Sequence, residues 1–139
     1  MKKLLVTGGA GFIGSNFIQY ILDKQQDLVL LLNLDLLTYA GNLENLEPVK
    51  EDPRYRFIRG DVRDKALVEE LFAEYDFDTV IHFAAESHVD RSIVEPEVFL
   101  TTNIIGTQTL LDAAKRHWSL NPENKHCREY RPGVRFLQV

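Results

Sequence analysis

Residues 4–14 read Leu-Leu-Val-Thr-Gly-Gly-Ala-Gly-Phe-Ile-Gly, an apolar run that meets glycines at 8, 11 and 14. This segment constrains the fold more than any other. A strand that stops at a glycine turn and restarts as a helix leaves unpaired backbone N–H groups at the helix start. Those donors and the positive end of the helix dipole suit a phosphate. In such a turn Gly8 permits the tight bend, Gly11 the approach of a pyrophosphate, and Gly14 the packing of helix on strand. The flanks supply the context that a bare glycine pattern lacks. An apolar strand precedes it, and an amphipathic segment, Phe12–Lys24, follows with Phe17, Ile18, Ile21 and Leu22 at helical spacing.

The rest of the chain alternates in the same way. Lys3–Thr7 reads as a strand. Leu28–Leu34 is a near-continuous apolar run, as a strand buried on both faces would be, although it is rich in leucine rather than β-branched residues. Thr38–Pro53 reads as a loop with one helical turn, and Tyr55–Arg59 as a third strand. Asp64–Tyr75 reads as a helix with Asp64 as its N-cap and Leu67, Val68, Leu71 and Phe72 as its buried face. Thr79–Phe83 is a fourth strand, Glu97–His117 a long helix, Ser119–Gly133 an exposed loop, and Val134–Val139 a fifth strand. Strands separated by helices or long crossovers predict an α/β fold with a doubly wound parallel sheet of Rossmann type. Its five strands are expected in the order 3-2-1-4-5, in one domain over residues 1–139.

Composition narrows the function classes. A net charge of −5 argues against a nucleic-acid footprint, which needs a basic face. No apolar run approaches the roughly 20 residues of a membrane helix. The stretch after Lys2 and Lys3 is too short for a signal-peptide core. The single cysteine, Cys127, forms no internal disulfide, so a cytoplasmic location is expected.

In a doubly wound sheet the ligand lies across the carboxyl ends of the strands. Asp35 ends the second strand, 21 positions after Gly14 (35 − 14), near the offset of about 20 for the acid that binds an adenosine ribose. A carboxylate there accepts from both ribose hydroxyls and repels a 2′-phosphate. No Lys or Arg occurs from Asn33 to Glu47, so NAD is expected rather than NADP. The plainer alternative is a solvated turn residue. Asp61 and Val62 follow the third strand, placed to meet an adenine, or Asp61 to cap a turn. Phe83, Ala84, Ala85, Glu86, Ser87 and His88 follow the fourth, and two small alanines there let a ligand approach the backbone. Thr102 and Asn103 lie downstream, within reach of the strand ends.

Three blocks carry a resemblance: Thr7–Gly14, Leu37–Asn42 (Leu-Thr-Tyr-Ala-Gly-Asn), and Phe83–Ser92 (Phe-Ala-Ala-Glu-Ser-His-Val-Asp-Arg-Ser) with Thr102-Asn103. The first is similar to the fingerprint of the extended short-chain dehydrogenase/reductases. Together the three resemble the dTDP-glucose 4,6-dehydratases, lyases of dTDP-rhamnose biosynthesis. The resemblance runs from Met1 to about Trp118 and resumes at Val134–Val139. It implies cofactor contacts at Gly8, Gly11, Phe12, Ile13, Gly14, Asp35, Leu36, Leu37, Thr38, Asp61, Val62, Phe83, Ala84, Ala85, Glu86, Ser87 and Thr102. It implies substrate contacts at Ser87, His88 and Arg91, with a structural hydrogen bond as the alternative for His88. The implied reaction removes a hydride from C4 of the hexose to NAD, eliminates water across C5 and C6, and returns the hydride to C6. The product is a 4-keto-6-deoxy sugar nucleotide.

Two departures matter. The family usually has a lysine after the ribose aspartate, where this chain has Leu36. The family's catalytic acid and base, its Tyr-x-x-x-Lys pair and its sugar-nucleotide domain are expected after Val139. The 139 residues alone are therefore expected to lack dehydratase activity. Tyr20–Lys24 does match Tyr-x-x-x-Lys, but at about 1.5 Å of rise per residue Lys24 lies roughly 15 Å or more from the helix start. It reads as a chance match. The family forms homodimers through a helix corresponding to Glu97–His117, which carries Ile104, Ile105, Leu110, Leu111 and Ala114. The alternatives are a related sugar-nucleotide epimerase or decarboxylase, and a dinucleotide-binding fragment without catalysis.

Overall fold

The computed structural model describes residues 2–37, 42–84 and 93–139, the side chains of Val98 and Phe99 excepted. Along the chain come β1 (Lys2–Thr7), α1 (Phe12–Lys24), β2 (Leu28–Asp35), a 3-10 helix (Leu43–Val49), β3 (Tyr55–Arg59), α2 (Lys65–Tyr75) and β4 (Thr79–His82). They are followed by α3 (Pro96–Leu100), a π-helical turn (Thr101–Gly106), α4 (Thr107–Trp118) and β5 (Arg135–Gln138). The strands form one parallel sheet in the order β3-β2-β1-β4-β5, as the alternation of apolar runs predicts.

The leucine-rich β2 is a strand because of where it lies. It is paired on both sides, and Leu31, Leu32 and Leu34 are fully buried. Burial on both faces outweighs a weak intrinsic preference. Its alternate residues feed two cores. On one face Leu31 joins Leu4, Val6, Ile81 and the α1 residues Ile18 and Leu22. On the other, Leu32 and Leu34 join Val68, Leu71 and Phe72 of α2 and Leu110, Ala113, Ala114 and Trp118 of α4. The second core is the aromatic one. Phe72 meets Phe77 edge-on at 5.5 Å between ring centroids, and the Trp118 indole N–H donates to the Phe77 carbonyl at 2.7 Å.

Asp64 caps α2 as its position predicts, accepting from the Leu67 N–H at 3.1 Å. Within the expected loop the helical turn is the 3-10 helix, capped by Asn42 and anchored by buried Leu46. The segment after α4 is exposed but not free. Ser119 and Tyr130 form an isolated antiparallel bridge, and the Leu120 N–H donates to the Glu129 carbonyl. Strand β4 ends at His82 rather than Phe83, although the Phe83 N–H still donates to Thr7 at 2.9 Å. Strand β5 spans Arg135–Gln138, shorter at both ends than Val134–Val139.

The expected single helix over Glu97–His117 needs correction. Its middle widens to a π-helical turn over Thr101–Gly106. Two hydroxyls back-bond into this stretch: Thr107 Oγ1 donates to the Asn103 carbonyl at 2.8 Å and Thr109 Oγ1 to the Ile105 carbonyl at 2.9 Å. Such back-bonding competes with the regular helical ladder, and insertion into the ladder bends or widens it. Of the apolar positions on this segment, Leu110 and Ala114 are buried. Ile104, Ile105 and Leu111 are exposed at 59%, 44% and 45%, so only part of the apolar face packs on the sheet.

Candidate functional site

The strand order reverses between β1 and β4, the point at which a doubly wound sheet opens a crevice at the carboxyl ends of its strands. The glycine turn sits on this edge. Gly8 takes φ +71°, a left-handed backbone, and a Cβ on it would stand 2.6 Å from the Ala84 nitrogen and 2.8 Å from the Phe83 carbonyl carbon. Gly8 therefore serves the close passage of the chain leaving β4 as well as the tight turn. A Cβ on Gly14 would lie 2.4 Å from the Gly8 carbonyl oxygen, which is the helix-on-turn packing expected of that position.

Helix α1 starts without a cap. Its N-cap, Gly11, offers no side chain, and the first turn holds no acidic residue. The N–H groups of Phe12, Ile13 and Gly14 point out of the helix end with no intrahelical acceptor. The Phe12 and Ile13 side chains are 81% and 63% exposed at this edge. An uncapped helix start with a partial positive charge suits an anion.

Asp35, at the end of β2, is almost buried, and both its oxygens are engaged. Oδ2 accepts from the Ala10 N–H and Oδ1 from the Leu37 N–H, each at 2.8 Å. Carboxylate oxygens accept more than one hydrogen bond, so Asp35 holds the turn and still has acceptor capacity to spare. The Leu37 bond also secures its left-handed backbone, φ +58°, while Leu36 is 39% exposed beside it.

Asp61 does not stand alone. Its carboxylate is gripped by Arg63 in a forked pair, 2.6 Å from Nη2 and 3.0 Å from Nε, and accepts the Arg63 N–H at 2.9 Å. Burial opposes its charge, but these Arg63 bonds outweigh it and hold the carboxyl below its ordinary value. Arg63 reaches on to the Thr101 hydroxyl at 3.0 Å, tying the end of β3 to the π-helical turn. The side chain of Val62 is buried against that turn; a Cβ on Gly106 would sit 2.6 Å from its Cγ2. Phe83 packs on Phe17 at 5.4 Å between centroids, and Ala84 donates its N–H to the Thr7 hydroxyl at 3.3 Å. Thr102 is half-buried within the π-helical turn. Thr38, Ala85, Glu86, Ser87, His88 and Arg91 lie outside the described residues. Tyr20 and Lys24, the chance match, are at the far half of α1, where Tyr20 is 62% exposed and Lys24 pairs with Asp23 at 2.8 Å.

Two polar residues at this edge escape motif reasoning. Asn33 is fully buried in β2, and His82 is fully buried at the end of β4. His82 Nε2 lies 3.0 Å from the Thr107 hydroxyl, which donates to Asn103 and so accepts from the ring; Nδ1 therefore accepts from Thr7, 2.5 Å away. This assigns the neutral Nε2–H tautomer. Burial pushes the His82 pKa down from 6.5 to about 4. The only sequence signal for either residue is a polar side chain inside an apolar run.

The sheet order, the glycine turn and the acid closing β2 define a Rossmann-type α/β domain. The chain belongs to the family described as GDP-mannose 4,6 dehydratase, whose model matches residues 5–139. Among curated proteins it is 51% identical over 126 residues to dTDP-glucose 4,6-dehydratase of Neisseria meningitidis, covering 91% of this chain and 35% of the relative. Two solved structures are also close. The dTDP-glucose 4,6-dehydratase of Bacillus anthracis, in complex with NAD, aligns with TM-score 0.78 and 35% identity over 100% of this chain and 37% of that one. That of Streptomyces venezuelae, with NAD and TYD bound, aligns with TM-score 0.76 and 52% identity over 81% of this chain and 35% of that one. The chain thus spans about a third of the length of the relatives it matches.

Proposed function

We propose that residues 1–139 form the NAD-holding domain of a dTDP-glucose 4,6-dehydratase. The observation that carries the reading is the uncapped start of α1 together with Asp35, which accepts the Ala10 N–H of the turn leading into that helix. One end of that pair suits a pyrophosphate and the other a ribose diol. The substrate follows from identity: relatives near 50% over about nine-tenths of the chain are named dTDP-glucose 4,6-dehydratases.

The donor set fits the cofactor. Phe12, Ile13 and Gly14 present N–H groups to the phosphates, and Asp35 binds the ribose hydroxyls. Asp61 orients toward the adenine through its Arg63-locked carboxylate, while Phe83 and Ala84 floor the crevice. Bound there, NAD supplies the hydride acceptor and donor of the dehydration. This chain's residues orient it and keep it in place. Ser87, His88 and Arg91 are assigned to the hexose on the strength of their sequence block, which follows β4 in the chain. The exposed Ile104, Ile105 and Leu111 support a homodimer contact along α4 and the turn before it. Proton transfer is assigned to residues beyond this span, and the location to the cytoplasm.

Calorimetry of the chain with NAD and with NADP tests the cofactor assignment. NAD is expected to bind at least about tenfold more tightly, because Asp35 faces a 2′-phosphate with like charge. Equal affinities contradict the ribose assignment. Supplied with dTDP-glucose and UDP-glucose, the longer protein containing these residues is expected to give a 4-keto-6-deoxy product from the first alone. Epimerisation of UDP-glucose would move the assignment to the sugar-nucleotide epimerases. The 139 residues by themselves are expected to give no turnover.

A further inference from the structure

Residues 8–11 run across the crevice, yet their N–H groups are not aimed into it. Gly8 donates to the Leu34 carbonyl at 3.0 Å, Gly9 to Asn33 Oδ1 at 3.0 Å, Ala10 to Asp35 Oδ2 at 2.8 Å, and Gly11 back to the Gly8 carbonyl at 3.2 Å. Three consecutive donors of the turn are thus fastened to the last three residues of β2. Asn33 and Asp35 are two apart on that strand and share the face that meets α1.

We propose that Asn33 is the positioning residue of the cofactor site: its carboxamide fixes the glycine turn over β2, so that the start of α1 faces the pyrophosphate. The inference rests on reading that turn as the cofactor cradle. Asn33 is fully buried, and its orientation is settled by chemistry. Gly9 is a donor, so Oδ1 must face it, and Nδ2 then donates to the Tyr55 hydroxyl at 3.2 Å. Little play is left, because a Cβ on Gly9 would lie 2.3 Å from Asn33 Oδ1 and 2.4 Å from Ile18 Cδ1. A carboxamide rather than a carboxylate also matters. It supplies the acceptor without a second negative charge beside Asp35 at a site meant for phosphate. A buried donor deprived of its partner seeks water or moves, and here the group that moves is the turn itself.

The test uses the full chain. Asn33→Leu keeps approximate volume and removes the acceptor; Asn33→Asp keeps the acceptor and adds charge. With Asn33→Leu, NAD and ADP-ribose are both expected to bind about tenfold more weakly, the scale of one unmade buried hydrogen bond. The ratio of NAD to NADP affinity is expected to hold, since Asp35 is untouched. Amide exchange at Gly9 is expected to quicken relative to Leu5 in Asn33→Leu and to stay slow in Asn33→Asp. Unchanged NAD affinity in folded Asn33→Leu overturns the proposal, as does a collapse of the cofactor ratio or undiminished Gly9 protection. Should Asn33→Leu not fold, Asn33→Ser is read by the same measures. If the unsubstituted chain binds no NAD, the cofactor reading fails, while Gly9 exchange still decides whether Asn33 holds the turn.

Discussion

β1 and β4 leave the sheet side by side at the crevice, and they hand over to their helices in opposite ways. After β1 the chain turns within four residues, and every turn N–H from Gly8 to Gly11 is tied down by β2 or by the turn itself. After β4 the path to α4 is long, and the polar groups lie within the helix: Arg63 reaches Thr101, and His82 reaches Thr107 across a π-helical turn. The first unit keeps a rigid turn so that the uncapped start of α1 is the free group. The second keeps a widened helix held by side chains, a feature often found at functional sites. The comparison separates a turn fixed by backbone donors from a helix fixed by side-chain bonds.

The sharpest way to break the first unit is Gly8→Val. The added side chain meets the backbone of Phe83 and Ala84 in a left-handed conformation that a β-branched residue resists. A loss of more than about 4 kcal/mol in chemical denaturation, or failure to fold, is expected. A milder loss would mean that the two strand exits are not coupled there.

The second unit breaks with pH. The unfolded chain protonates His82 near its ordinary 6.5, whereas burial delays this to about 4 in the folded chain. Between those values the unfolded state holds the extra proton. Stability from this group is therefore full above about pH 6.5, falls as pH is lowered, and is lost near pH 4. The whole span amounts to about 3 kcal/mol. Denaturation of the chain and of His82→Gln across that range should differ in slope; parallel curves would remove His82 from the account. Smaller still is Thr107→Val, which strips the acceptor from the His82 ring and is expected to cost about 1–2 kcal/mol. Its effect should shrink in a His82→Gln background, where the ring N–H it accepts is gone and only the bond to the Asn103 carbonyl remains to be lost.

The same comparison explains what was legible in the sequence. The first unit is encoded locally: strand, glycines and amphipathic helix adjoin, and α1 spans Phe12–Lys24 as its periodicity predicts. Asp64 as a cap and Asp35 as a strand-end acid are equally local. Asn33 and His82 are not, because their meaning lies in partners 22–75 positions away: Gly9 and Tyr55 for one, Thr7 and Thr107 for the other. The π-helical turn is hidden for a similar reason. Apolar spacing over Glu97–His117 suits a straight helix, and only the hydroxyl bonds to Asn103 and Ile105 reveal the break. Asp61 shows the limit of strand-end logic, since its position was legible but its grip by Arg63 was not.

The central claim is that the start of α1 is left uncapped for a phosphate. Gly11 already has an extended backbone, φ −73° and ψ 173°, that any residue adopts, so Gly11→Asp would supply both a cap and a negative charge. Calorimetric titration with NAD, paired with thermal unfolding of the same samples, measures the trade directly. The account predicts that Gly11→Asp leaves stability unchanged or raises it by up to about 1 kcal/mol while weakening NAD binding at least about a hundredfold. NAD bound by Gly11→Asp as tightly as by the unsubstituted chain would contradict it.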